Sequence, residues 1–316
     1  MEKKKPFNSA KIIEERISEA NLKTYLVGFD IDDNNESKYR WKELVNLLQN
    51  VIFEFAFGYH LEPDKTKLID QLSDAAKSIY KIEEFKKAKE IYVDNCSFID
   101  DSDEQRKSFL KRGEFGELIL HLILRDFHST VPLLSKIYFK DSYGVPVHGF
   151  DAVHIQPENK TMWLGESKLY MDGKKGVEAL IKDIKEHFQR DYLNNEFVII
   201  SKKIEPYDNI PEKEEWLELM DGKSKLKDVL SSITIPLLCT YSSDNFTKYD
   251  DENQSEFIES YEKEVRNLKN NFDNINDHPL KSNLNIVLLL FPVPCKNELI
   301  KRLHKKLYTL QELKDE

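Results

Sequence analysis

The sequence predicts a mixed α/β fold, with helices packed on a central mixed sheet. Three observations carry this expectation. Between Glu104 and Ser201 the chain reads as helix, three strands, helix, strand. A strand that returns through a helix to a later strand makes a right-handed parallel crossover, whereas a short connection between neighbouring strands is compatible with a hairpin. A second apolar strand pattern, Asn285–Phe291 (NIVLLLF), has the unbroken run of a strand buried on both faces. Finally, 316 residues with 40% hydrophobic side chains are ample for a buried core.

In chain order, the first pattern is a strand at Tyr25–Asp30, ended by the turn-like cluster Asp32–Asn35. A helix is expected over Trp41–Phe57, where apolar residues recur at helical spacing and Gly58 supplies a stop. Helical patterns also cover Lys65–Tyr80 and Glu83–Val93. Asp103 can cap a long helix, Glu104–Phe127, whose stripe includes Phe109, Leu110, Leu118 and Leu122. Pro132 then breaks the chain, and strands follow at Ser135–Lys140, Gly149–Ile155 and Met162–Tyr170. After the Asp172–Gly173 loop comes an amphipathic helix, Lys174–Asn194, and a short strand, Glu196–Ser201. Beyond an acidic stretch, Glu205–Asp221, lie a strand at Ile233–Tyr241 interrupted by Pro236, a charged helix at Ser255–Asn271, the strand Asn285–Phe291 and a basic helix at Lys296–Leu310. These divide the chain into an α-rich region over 1–100, a core over 101–203, and an extension over 204–316 that continues the sheet.

Composition excludes several classes. Charged residues reach 33%, above the usual ~25%, while the aromatic content argues against disorder. Cys96, Cys239 and Cys295 are distant, odd in number and without CxxC spacing, which excludes a disulfide framework and a cysteine zinc site and fits a cytoplasmic, reducing compartment. The basic start MEKKKPFNSA is followed by no apolar run, so no signal peptide is expected, and no stretch is long and apolar enough to span a membrane. The net charge of −10 predicts weak affinity of the lone chain for DNA, since few phosphate contacts release few counterions.

The sharpest feature is a strand holding charges that a buried strand should not hold. In MWLGESKLY, Glu166 and Lys168 alternate with Ser167 and leave one face about 7 Å apart. Asp151 lies in the preceding strand pattern, where a hairpin would bring it beside Glu166. Buried charges need partners or a metal, and a divalent cation answers that need with hard oxygen ligands. On the preceding helix, Glu114 and Glu117 share a face, and Gly113 and Gly116 thin the helix where another element could approach. Glu-x-Lys pairs are common on solvated edge strands; the upstream Asp151, the glutamates and the order of elements are what distinguish this one. Glu114 is the more ordinary of the two glutamates, and His121 reads as a satisfied helix histidine.

Helix glutamate, strand aspartate, Glu-x-Lys on the next strand, then helix and strand resembles the PD-(D/E)xK nuclease superfamily over about Glu104–Ser201. It departs from the pattern in having Phe150, not proline, before Asp151. The segments GEFGELILHLILRDF, HGFDAVHI and LGESKLY further resemble the HamA family, nuclease subunits of the bacterial Hachiman anti-phage defence system. The resemblance implies a restriction-endonuclease-like core and Mg²⁺-dependent DNA hydrolysis, with Mn²⁺ as a substitute. Asp151, Glu166, the carbonyl of Ser167 and Glu117 would serve the metal, and Lys168 would orient water and stabilise charge on phosphorus. It also implies a helicase partner, HamB, that restrains the nuclease until triggered. On the following helix Lys174, Lys175 and Lys182, with His148 upstream, are candidate DNA contacts; Gln189 and Tyr192 sit one residue short of the superfamily's commoner Gln…Tyr spacing. Two rival readings are a stand-alone restriction- or repair-type nuclease and a non-catalytic adaptor that keeps the fold. Loss of Asp151, Glu166 or Lys168 would mark the adaptor, and all three are present.

Overall fold

The computed structural model describes residues 5–59, 62–79, 113–134 and 149–313. Its centre is a sheet of seven strands among the described residues, in the spatial order β1-β2-β9-β8-β7-β6-β5. These are β1 (Ile13–Ser18), β2 (Leu22–Val27), β5 (Val131–Pro132), β6 (Ala152–Gln156), β7 (Thr161–Tyr170), β8 (Ile233–Ser242) and β9 (Asn285–Val293). The inner pairs β2–β9, β9–β8 and β8–β7 are parallel, and the outer pairs β1–β2, β7–β6 and β6–β5 are antiparallel. A separate hairpin joins β3 (Phe29–Ile31) to β4 (Ser37–Tyr39).

Side-chain alternation sends each strand's residues to opposite faces, and two helical layers collect them. One face carries α1 (Trp41–Phe57), α2 (Leu68–Ile79), α3 (Gly113–Phe127) and α10 (Lys296–Glu312), packed with Trp163, Leu169, Leu238 and Leu289. The other carries α4 (Gly173–His187), α5 (Arg190–Ile204), α6 (Lys213–Leu219), α7 (Leu226–Ser231) and α9 (Ser255–Ile275), packed with Met162, Leu164, Leu237 and Leu288. A short α8 (Asn245–Lys248) sits in the loop after β8. The sheet is therefore the middle of a three-layer sandwich. Among the described residues, no helix is long and apolar enough to cross a membrane.

The structure keeps the expected helix over Trp41–Phe57, and Gly58 ends it with φ 86° and an N–H donated to the Glu54 carbonyl at 2.7 Å. Several expectations change. The expected strand Glu196–Ser201 lies inside helix α5, where Leu193, Phe197, Ile200 and Ile204 are buried at helical spacing and Val198 faces out. A short apolar run satisfies either period, and packing on one stripe decided for helix. The single helix expected over Lys174–Asn194 divides at Phe188–Gln189, where Gln189 turns extended. The parallel return from β7 consequently runs through α4, α5, α6 and α7 to β8. Pro132 does not break the chain; it pairs with His154 at the edge of the sheet, where a residue without an N–H is tolerated. Residues 5–40 hold four strands in place of the one expected. The expected strand Ser135–Lys140, the helix Glu83–Val93 and the start of the helix from Glu104 lie outside the described residues.

Pro236 stays within β8, and its cost appears in the neighbouring ladder. Pairing of β7 with β8 lapses after Trp163↔Thr234 and resumes at Glu166↔Leu237. In that gap sits Gly165, where a Cβ would lie 2.9 Å from Leu120 Cδ2 and 3.1 Å from Pro236 Cγ. Overpacking at such a point costs about 1–3 kcal/mol. Gly165→Ala is accordingly expected to lower unfolding stability by about that amount, read as a lower urea midpoint with an unchanged slope. An unchanged midpoint would show that the sheet yields there without cost.

Candidate active site

The β6–β7 hairpin turns through Pro157–Asn159 and Lys160, which adopts a left-handed φ of 51°. Its register pairs Ala152 with Gly165, so Asp151, at the mouth of β6, stands level with Glu166. The Ser167 amide donates to Asp151 Oδ2 at 2.8 Å, and the Ser167 hydroxyl donates to the same oxygen at 2.9 Å. Asp151 is thereby tied to the backbone of the strand that carries Glu166 and Lys168.

Ser167 faces α3. There Gly116 permits the approach, since a Cβ on it would lie 3.0 Å from Ser167 Oγ. Among the described residues nothing lies within 4 Å of where a Cβ on Gly113 would stand. One residue after Gly116, half-buried Glu117 brings a further carboxylate whose charge is felt at both Asp151 and Glu166.

Glu166 and Lys168 leave the opposite face, toward α4. Glu166 is 2% exposed, and its Oε1 lies 2.5 Å from Nδ1 of His187. Lys168 Nζ lies 2.5 Å from Asp183 Oδ2. Asp172 caps α4, accepting from the Lys174 amide at 2.8 Å. His187 stacks on Tyr192 at 4.5 Å between ring centroids and 14° between planes.

The electrostatics are those of a cluster short of positive charge. Burial, then the Glu117 charge, push the Asp151 carboxyl up to about 7, against the pull of Lys168 and the two Ser167 hydrogen bonds. Burial and the carboxylates of Asp151 and Asp183 push Glu166 well above the ordinary range. Burial alone would lower Lys168, but the Asp183 contact and the charges of Asp151 and Glu166 outweigh it and hold the ammonium protonated. A divalent cation bound by oxygen ligands would relieve this imbalance. Among the described residues no three His, Cys, Asp or Glu side chains are already grouped to hold a metal. Mg²⁺ takes one or two carboxylates and completes its shell with water, so the Asp151–Glu166 pair meets its donor requirement.

The structure thus brings together Asp151, Glu166, Ser167, Lys168 and Glu117. Lys174, Lys175 and Lys182 are exposed on α4, with Lys182 lying 3.7 Å from Glu186. His148 lies outside the described residues. Of the Gln189–Tyr192 pair, Tyr192 reaches the site by stacking on His187, whereas Gln189 donates to the Lys185 carbonyl. Asp183 and His187 escaped the sequence reading. The signal for them was their four-residue spacing beside the buried Leu180 and Ile184, which places an acid and an imidazole at the edge of the apolar stripe.

Compared with models of protein families, the chain matches the one described as HamA over residues 5–307, nearly all of its length. No curated protein matches the chain.

The raised Asp151 pKa has a consequence for stability with a fixed sign. In the unfolded chain the group ionises near 3.8, and in the fold near 7. The fold therefore loses stability as pH rises from about 4 to about 7, because the buried site resists the charge that the unfolded chain accepts. Without metal, Asp151→Asn should be more stable than wild type by about 1–3 kcal/mol at pH 8. The gain should shrink toward zero at pH 4. Urea titrations in chelator at both pH values check this; a gain that is independent of pH would contradict it.

Proposed function

Since the chain belongs to the HamA family, a component of the Hachiman anti-phage defence system, we propose that it is the nuclease of that system. In this reading it is a Mg²⁺-dependent DNA endonuclease, able to use Mn²⁺, that works in the cytoplasm in complex with the helicase HamB and under its restraint. One observation carries the proposal. Asp151, Glu166 and Lys168 stand together on one hairpin, the charge of Glu117 from helix α3 reaches both carboxylates, and those carboxylates are under-compensated. All of these groups come from the segment 101–203, which we take as the nuclease core.

Asp151 and Glu166 would hold the metal, with the Ser167 carbonyl and Glu117 completing or supporting the set. A bound Mg²⁺ would polarise the scissile phosphate and lower the pKa of the attacking water. Lys168 has a different task. As a protonated ammonium it cannot accept the water's proton, so it acts by donating hydrogen bonds to phosphate oxygens as negative charge gathers on them. Ser167 keeps Asp151 aligned through two donors on one oxygen. Lys174, Lys175 and Lys182, with His148, would meet the phosphate backbone along α4.

Digestion of supercoiled and linear DNA with Mg²⁺, with and without the helicase, tests this. Glu166→Ala and Lys168→Ala should each lower cleavage by about 100-fold or more. In addition, Mg²⁺ should raise the melting temperature of wild type and not that of Glu166→Ala. Equal cleavage by all three proteins would sink the site assignment. No cleavage under any condition, with a retained helicase complex, would favour the adaptor.

A further inference from the structure

Glu166 and Lys168 leave one face of β7 two residues apart, and Asp183 and His187 leave one face of α4 four residues apart. Two residues of strand span about 7 Å and four residues of helix about 6 Å. The spacings match, and because α4 runs back against β7 the order is reversed. Lys168 meets Asp183, and Glu166 meets His187, each at 2.5 Å.

The imidazole is itself held in place. Tyr192 stacks on one side of it, and Phe150, the residue before Asp151, meets it edge-on at 5.9 Å and 87°. Phe150 also meets Tyr192 edge-on, at 6.0 Å and 81°. The ring plane is thus fixed from α5 and from the mouth of β6 together, and the carboxylate it contacts inherits that orientation.

We infer that α4 is the positioning element of the site: His187 sets the orientation in which Glu166 takes a divalent cation, and Asp183 sets the position of the Lys168 ammonium. The inference rests on the nuclease reading and adds two positioning residues to it. The two act differently. Residues that orient a metal's ligands commonly contribute about 10–100-fold to metal affinity, so His187 belongs to metal binding. The ion pair with Asp183 fixes the head, and the ammonium keeps protons that can be offered to a phosphate. Asp183 therefore belongs to turnover.

The test separates these roles in the full-length chain, with cleavage kinetics measured on the assembled helicase complex. Mn²⁺ binding is followed by the electron paramagnetic resonance of the free ion. His187→Leu keeps bulk without a donor and should weaken Mn²⁺ binding about 10–100-fold. His187→Asn, whose amide nitrogen falls near the position of Nδ1, should recover most of that loss. Asp183→Asn should leave Mn²⁺ affinity within about twofold, yet lower kcat at saturating Mn²⁺ by about 10-fold or more with little change in KM. Melting temperatures in chelator identify any variant that fails through folding, and the His187→Asn rescue then carries the test. The inference is overturned if His187→Leu binds Mn²⁺ as wild type does, if His187→Asn gives no recovery, or if Asp183→Asn loses affinity and turnover together. Should wild type neither bind Mn²⁺ nor cleave DNA, the nuclease reading itself falls and takes the inference with it.

Discussion

A charge between two packed layers must be compensated, and β7 brings Glu166 and Lys168 into that position with Asp151 alongside. Much of the surrounding structure answers to this one constraint. Helix α4 returns across the strand with Asp183 and His187 at the spacing the two charges require. On the other face Gly116 admits Ser167, whose amide and hydroxyl hold Asp151. Gly165 removes a side chain where Leu120 and Pro236 converge, one residue before the buried glutamate. These contacts compensate the ammonium. They do not compensate the carboxylates, whose pKa values burial and the neighbouring carboxylate charges raise.

A neighbouring polar cluster is compensated differently. On the same hairpin, His154 lies three residues beyond Asp151 and is also buried. There the three histidines and Glu54 each have a hydrogen-bond partner. His154 Nδ1 lies 2.8 Å from the Thr130 hydroxyl, Glu54 lies 3.2 Å from His121 and 2.5 Å from Arg125, and His128 lies 3.0 Å from the Tyr25 hydroxyl. Burial keeps His121, His128 and His154 below the ordinary histidine range, with His128 near 3, so they remain neutral and require no cation. Glu54, between an imidazole and a guanidinium, is pulled down despite its burial. Asp151 and Glu166 are pushed up. One polar cluster of the fold thus holds its carboxylate below the ordinary range while the other holds two above it, and perturbed carboxylates of that kind concentrate at functional sites.

The HamA family match extends well to both sides of the β6–β7 hairpin, and one sheet joins strands from all of these parts of the chain. Strands β8 and β9 follow the hairpin in sequence, and β1 and β2 precede it, yet all join the sheet that carries it. Removing either flank would expose an edge of β7's own sheet. The acidic excess of the sequence is likewise an average over layers: much of it lies on α6 and on the α8–α9 segment, beyond the hairpin.

What could be read in the sequence was whatever depends on local pattern. Helix Trp41–Phe57 was legible because its apolar spacing and its glycine stop agree, and the Glu-x-Lys strand because alternation fixes which residues share a face. Asp151 was legible because a short hairpin leaves little choice of register. The run Glu196–Ser201 differs from its expected strand because six apolar-rich residues fit a strand and a helix equally, and only burial of one helical stripe in the core chose between them. Alternation and a short connection were enough to bring an aspartate, a glutamate and a lysine onto one hairpin. That Asp183 and His187 face them depends on where a returning helix crosses the strand, a distance that no local spacing encodes.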